Sequence, residues 1–480
     1  MNKQSLTYKT IIGVIWAVFQ RAGGLIITFI ANIFLARILS PSDFGCIGLL
    51  LTVTSMADVL IDGGLGTAII QKKNIDQKDI STVFTTNLFI SVLSFFLIFF
   101  LSPTISKFFG LPILESILKV ESISIILRAL YLVHLSLMNR NLMFKKIAIT
   151  TVIANITSAV FAIIFAYLGC GVWSLVIKNV LLHLMLCVLY WKIGAWKIHF
   201  YFNYVSFKQL FNFGGLIALS SFIEMFFSNI QSIIIGKKFK TEELGYYTQA
   251  KSLGQIPIYS ISMMLNQVLF PTLSKLQDND DGIAKGMRKS LIAITYLAFP
   301  IIMLVCILAE PLISLFYSDK WLPATPYLQL VCISGMTNVI IHSNYSLIKS
   351  RGKSRSYLFI ITIVNILIFT FTILGIKYGV LGMLVCHTLG CYIATAIVMS
   401  VAGKDIKYGF FKQTKDIIKP FVVSVLIGGG VYFLLQNIKL NNIFTILIGG
   451  GVFVCLYTTL SMLFKLDGFN IYKQIVFRKK

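Results

Sequence analysis

Residues 20–73 read QRAGGLIITFIANIFLARILSPSDFGCIGLLLTVTSMADVLIDGGLGTAIIQKK: an apolar run, a tight turn at Ser40-Pro41-Ser42-Asp43, and a second apolar run. Arg21 lies inside the first run, and Asp58 and Asp62 inside the second. An ionisable group at membrane depth costs about 2.5–3.5 kcal/mol on insertion scales, so it faces protein or water and marks a pathway. The polar positions also form stripes. Arg21, Thr28 and Asn32 share one helical face, as do Ser55, Asp58 and Asp62.

The same hairpin returns about 200 residues later. The run beginning near Phe213 carries Ser221, Glu224, Ser228 and Gln231 at steps of three and four. The next run carries Ser252, Gln255, Tyr259, Ser262 and Asn266 with like spacing, and Gly23-Gly24-Leu25-Ile26 recurs as Gly214-Gly215-Leu216-Ile217. At a constant offset of 210, Ser136-Leu137 matches Ser346-Leu347, Asn155 matches Asn365, and Gly169 matches Gly379. Spans 1–6 and 7–12 therefore read as two copies in parallel orientation.

Around this frame the chain is apolar throughout. Of its 480 residues 57% are hydrophobic and 12% charged, with a mean hydropathy of +0.85; soluble domains have about 45–50% and 25%. About fourteen stretches meet the length of about 20 residues that a spanning helix needs. They lie near 11–36, 44–70, 82–101, 114–137, 147–168, 171–191, 213–236, 247–272, 290–309, 326–348, 357–376, 378–401, 418–435 and 442–464. The expected architecture is all-α and polytopic: an N-terminal lobe over 1–212, a C-terminal lobe over 213–403, and accessory helices with a basic tail over 404–480. A net charge of +24 would suit a nucleic-acid binder, but the basic residues sit in short loops between apolar spans. Alternate loops hold 29 Lys and Arg against 8 in the opposite set, which places both termini in the cytoplasm.

Arg21 is too deep to snorkel. It suits an ion pair with Asp58 or Asp62 on the adjacent helix, or an anion site, since a guanidinium makes paired hydrogen bonds to phosphate. Arg128 in span 4, which also carries Glu115, Lys119 and Glu121, is a second anion candidate. Lys178 and Lys251 lie a turn or two from the outer surface and rank below these. Asp58, Asp62 and Glu224 are candidates for coupling to protons or sodium, or for structural pairing. Pro257, Pro271 and Pro300 are expected kinks. The eight cysteines form no C-x-x-C and read as buried apolar groups, with no disulfide or metal site expected. The run Asp278-Asn279-Asp280-Asp281-Gly282 starts like a calcium loop, but its twelfth position is Lys289 rather than Glu. Gly64-x-Gly66 has no strand before it, so a dinucleotide site is rejected. No catalytic constellation survives, and no enzyme is expected.

The segments Leu35-Ala36-Arg37-Ile38-Leu39-Ser40-Pro41-Ser42-Asp43-Phe44-Gly45 and Asp62-Gly63-Gly64-Leu65-Gly66-Thr67-Ala68-Ile69-Ile70-Gln71-Lys72, with Phe144-Lys145 after span 4, closely resemble polysaccharide exporters of the Wzx type. Those belong to the exporter superfamily that also holds multidrug antiporters of the MATE type and the lipid II flippase. The resemblance implies a flippase of the bacterial inner membrane, carrying oligosaccharide on a polyprenyl diphosphate by alternating access through a V-shaped cavity lined by helices 1, 2, 7 and 8. It implies a cationic-cavity role for Arg21; for such a cargo the positions read above make Arg21, Arg128, Lys178 and Lys251 the expected diphosphate contacts, and Asn32, Gln231, Gln255, Tyr259 and Asn266 the expected glycan contacts. Membrane lipids, a polysaccharide polymerase and chain-length proteins would be its partners, with no nucleic acid. No cofactor is implied beyond a coupling ion, H+ or Na+. The rival readings are a MATE-like multidrug antiporter and a membrane polysaccharide polymerase or ligase.

Overall fold

The computed structural model describes the chain apart from residues 1–2, 73, 195, 198–199, 265–268, 270–272, 274–278, 353, 438–439 and 477–480. It also leaves out the side chains of 3–12, 14, 213, 216–217, 259–264, 354 and 475–476. The described residues are helical or in turns, with no strand among them. Eleven stretches among them are long and apolar enough to cross a membrane, and one of these, Arg355–Ala402, holds two helices in 48 residues. The chain is an all-α, multi-pass membrane protein, as its composition requires.

Packing divides it into two compact units, Met1–Gly245 and Tyr246–Lys480. The first contains α1 (Lys3–Ile38), α2 (Pro41–Asp62), α3 (Leu65–Gln71), α4 (Gln77–Phe109), α5 (Pro112–Arg140), α6 (Phe144–Tyr167), α7 (Val172–Ile193), α8 (Tyr204–Lys238) and the first turn of α9 (Thr241–Met264). The first unit takes in α8, beyond the repeat boundary that the sequence sets after residue 212, because α8 packs on α2, α3 and α4.

Local chemistry sets these helix ends. Ser40 caps α2: its hydroxyl accepts from the Asp43 N–H at 3.2 Å, while the Asp43 carboxylate takes the Ser40 N–H at 3.0 Å. Pro41 fills the first turn, where its missing N–H is not needed. Asp76 and Asp79 form the same reciprocal box at the start of α4. The second apolar run is broken where the sequence reading kept it continuous. Gly63 (φ 50°) and Gly64 (φ 69°) both adopt the left-handed conformation, separating α2 from the short α3. Arg140 caps the far end of α3, donating to the carbonyls of Ile69 (2.6 Å), Ile70 (3.2 Å) and Lys72 (2.6 Å). Those carbonyls have no partner within the helix.

The second unit holds the rest of α9, α10 (Asp280–Ile307), α11 (Ala309–Tyr317), α12 (Thr325–Ser350), α13 (Ser354–Gly375), α14 (Gly379–Ala402), α15 (Phe410–Gln436), α16 (Asn442–Leu463) and α17 (Asp467–Val476). Pro257 and Pro300 lie inside α9 and α10, and Pro271 lies outside the described residues. The helices beyond the repeat are joined to it by polar contacts. Gln413 of α15 and Asn344 of α12 exchange two amide hydrogen bonds, each 3.0 Å. Asp416 takes two bonds from Arg288 of α10, at 3.0 and 2.9 Å, and one from the Tyr408 hydroxyl at 2.8 Å. An apolar cluster around Tyr296, Ile307, Ile427, Val431, Phe453 and Tyr457 covers the same junction.

Candidate functional site

Within the first unit, α2 has two partners that bear on function: α5 on one side and α8 on another. Toward α5, Arg128 Nη1 donates to Asp58 Oδ2 at 2.6 Å. Both side chains keep some access, at 31% and 25% exposed. The Arg128 Nε is enclosed and has no hydrogen-bond partner among the described residues, so the guanidinium has a spare donor. Glu121, two turns back on the same face of α5, is 2% exposed. One of its oxygens accepts from the Ser124 hydroxyl at 3.1 Å, and the other has no partner among the described residues.

Arg21 does not make the pair expected of it. The reason is helix adjacency: α1 packs on α6, where Gln20 donates to Thr151 at 3.3 Å and Lys145 lies over the Trp16 ring. Arg21 is exposed and forms no ion pair among the described residues. Asp62 is likewise turned to a local task. Its carboxylate lies against Gly66 across the helix break. A Cβ at Gly66 would lie 2.7 Å from Asp62 Oδ1 and 2.9 Å from Ser136 Oγ, so glycine is what lets that carboxylate in.

Toward α8 the contact is an antiparallel seam built on small residues. From one end to the other, Gly45 meets Thr241, Leu49 meets Gly236, Ser55 meets Asn229, and Gly64 meets Gly214. A Cβ at Gly64 would sit 2.3 Å from the Gly214 carbonyl oxygen, and one at Gly214 would sit 2.7 Å from that of Gly64. At the other end, a Cβ at Gly45 would fall 2.0 Å from the Thr241 carbonyl oxygen, and one at Gly245 would fall 1.9 Å from that of Pro41. In the middle, Asn229 Nδ2 donates to Ser55 Oγ at 3.0 Å.

Other residues singled out in the sequence are spread more widely. Glu224 is exposed on α8, Gln231 is buried on it, and Asn32 is half-buried on α1. Lys178 is half-buried on α7. In the second unit Gln255 is half-buried, and the Lys251 ammonium lies 5.9 Å from the Tyr247 ring centre. The Tyr259 side chain and Asn266 lie outside the described residues. Sequence reasoning missed Asn229, one position beyond Ser228 in a stripe it had traced. It also left Glu121 unassigned. A carboxylate one helical heptad from an arginine on an otherwise apolar face was the available signal.

The described residues form an all-helical bundle with helices long and apolar enough to cross a membrane and the Arg128–Asp58 pair held between two of them, which defines the class of multi-pass helical membrane proteins. The match over residues 34–326 goes further: the chain belongs to the polysaccharide biosynthesis protein family. Its relatives include an uncharacterized membrane protein in the cps region of Klebsiella pneumoniae, 26% identical over 92% of this chain and 97% of the relative. The lipopolysaccharide biosynthesis protein WzxC of Escherichia coli K12 is 23% identical over 73% of this chain and 71% of its own length. Among solved structures, the lipid II flippase MurJ in an inward closed conformation superposes with a TM-score of 0.77. That match covers 95% of this chain and 99% of MurJ at 18% identity, a likeness of fold.

Proposed function

We propose that this protein is a flippase that moves a polyprenyl-diphosphate-linked oligosaccharide from the cytoplasmic to the periplasmic leaflet of the bacterial inner membrane. It would use alternating access, fourteen spans and cytoplasmic termini. The observation that carries the reading is the partly accessible Arg128, held against Asp58 between spanning helices, in a chain of the polysaccharide biosynthesis family. A guanidinium in a water-poor site gains most from an anion with several oxygens, and a diphosphate provides them. Arg128 leads the diphosphate contacts in this reading, followed by Arg21 and then Lys178 and Lys251. Asn32, Gln231, Gln255, Tyr259 and Asn266 hydrogen-bond the glycan. Asp58, Asp62 and Glu224 respond to the coupling ion, H+ or Na+, and a polymerase and chain-length proteins receive the product.

The test uses purified protein in vesicles holding a fluorescent polyprenyl-diphosphate oligosaccharide, with flipping read by access of an external quencher. Charge-assisted hydrogen bonds contribute about 1.5–3 kcal/mol, so Arg128→Ala is expected to slow flipping about ten- to hundredfold. Arg21→Ala is expected to slow it less. Unchanged flipping in the double variant would overturn the assignment. Drug export in place of lipid flipping, or formation of sugar–sugar bonds by the purified protein, would overturn the function itself.

A further inference from the structure

The Arg128–Asp58 pair has a consequence for selectivity. Ordinary anionic phospholipids, such as phosphatidylglycerol, vastly outnumber any carrier lipid in a membrane, and each offers a phosphate to a guanidinium at membrane depth. A bare Arg128 would be filled by them. In this structure its Nη1 is already engaged at 2.6 Å by a carboxylate standing on a different helix. The pair is open to a ligand on one side, since neither side chain is fully buried. Behind it, on the same face of α5, stands a second acidic group, the sealed-in Glu121, which offers a displaced Asp58 carboxylate no compensating charge.

We infer that Asp58 is a specificity-determining residue: it occupies Arg128 so that phospholipids with a single phosphate are refused and only a diphosphate-bearing lipid displaces it. The argument is one of unequal exchange. Any anion that takes Arg128 leaves the Asp58 carboxylate unpaired between helices, and that penalty is the same for every ligand. The gain is not. A phosphodiester brings one negative charge and merely replaces the charge it displaces. A diphosphate diester brings two, with oxygens on both phosphates to meet the partly accessible guanidinium. The fixed penalty cancels the first gain and is exceeded by the second. Discrimination therefore comes from an element that opposes the wrong ligand as well as from one that attracts the right ligand.

This inference rests on the proposed lipid-diphosphate reading, and the experiment separates the two. Full-length protein is placed in nanodiscs of phosphatidylcholine or of phosphatidylcholine with phosphatidylglycerol, and binding of a polyprenyl diphosphate is titrated in each. For the native protein, phosphatidylglycerol is expected to shift the half-saturation point by less than about twofold. For Asp58→Asn the shift is expected to reach about fivefold or more, the scale of ordinary coupling between sites. Asp58→Glu is expected to restore the native behaviour. An Asp58→Asn protein as insensitive to phosphatidylglycerol as the native one would overturn the inference. A second arm does not depend on that variant folding: phosphatidylglycerol retained by the native protein is compared with that retained by Arg128→Gln, by mass spectrometry of the intact complex. Equal retention is expected. Loss of bound phosphatidylglycerol in Arg128→Gln would show that Arg128 is open to single phosphates, which also overturns it. Failure of the native protein to bind polyprenyl diphosphate at all would instead sink the proposed function, and the second arm would still decide whether Asp58 excludes phospholipid.

Discussion

Gly64 offers a direct measurement of how tightly α2 and α8 are joined. Two separate costs attend Gly64→Ala. Its φ of 69° is left-handed, which costs a residue with a Cβ about 1–2 kcal/mol. The added carbon would also meet the Gly214 carbonyl oxygen at 2.3 Å and the Gly214 carbonyl carbon and Cα at 2.8 Å. All three are main-chain atoms and cannot rotate aside, so the seam has to part, at about 1–3 kcal/mol for an overpacked contact. The neighbouring Gly63 supplies the control. Its φ is 50°, and a Cβ there meets nothing nearer than the Leu60 carbonyl oxygen at 3.5 Å. Gly63→Ala is therefore expected to lose the strain alone, and Gly64→Ala about 1–3 kcal/mol more. Gly214→Ala, whose helical backbone is unstrained, is expected to lose the packing part alone. Because Gly64→Ala and Gly214→Ala crowd the same contact, and one parting of the seam makes room for both, the double variant is expected to fall short of the sum of the singles. The assay is thermal unfolding of the detergent-solubilised protein, followed by the reactivity of its buried cysteines. Equal losses in Gly63→Ala and Gly64→Ala, or strict additivity of Gly64→Ala with Gly214→Ala, would refute the main-chain contact.

Arg140→Ala strips donors from three carbonyls at the end of α3 and is expected to raise hydrogen exchange across residues 65–72 by about tenfold or more, with little change in the second unit. In the second unit, Asn344→Leu leaves the buried Gln413 amide without its reciprocal partner and is expected to cost about 1–3 kcal/mol. Adding Gln413→Leu is expected to recover part of that loss, as read from the same melting assay. Gly45→Ala would place a carbon 2.0 Å from the Thr241 carbonyl oxygen and is expected to push the start of α2 away from it. A cysteine at position 241 should then react several times faster with a membrane-impermeant maleimide than in the native background.

The all-helical, membrane-spanning character of the chain was readable because apolar runs of membrane length leave a chain few alternatives. The turn at Ser40-Pro41-Ser42-Asp43 was equally plain, and the structure resolves it into a capping box with proline in the first turn of α2. Asp58 and Arg128 were picked out for the same reason: each is a charge where charge is costly. Their pairing was not readable. Which helices touch in a bundle is decided by surfaces far apart in sequence, and proximity along the chain suggested Arg21 when the packing of α1 on α6 excludes it. Gly63-Gly64 was noticed as part of a family motif and as a rejected nucleotide loop, yet its role in breaking the span was missed. An apolar window treats two glycines as neutral, whereas the backbone treats them as the place where φ changes sign.

The mutual approach of Gly45 to Thr241 and of Gly245 to Pro41 joins the corners of the two hairpins that the sequence reads as copies of one another. In a duplicated chain most paired sites are at liberty to diverge, each copy answering only to its own surroundings. Here each copy forms the mould for the other, so a bulkier residue accepted in one would have to be answered at once in its counterpart. Among descendants of the same duplication, the corners of these two hairpins should therefore be where the ancestral symmetry is slowest to fade, even after the stretches that handle cargo have become unrecognisable as copies.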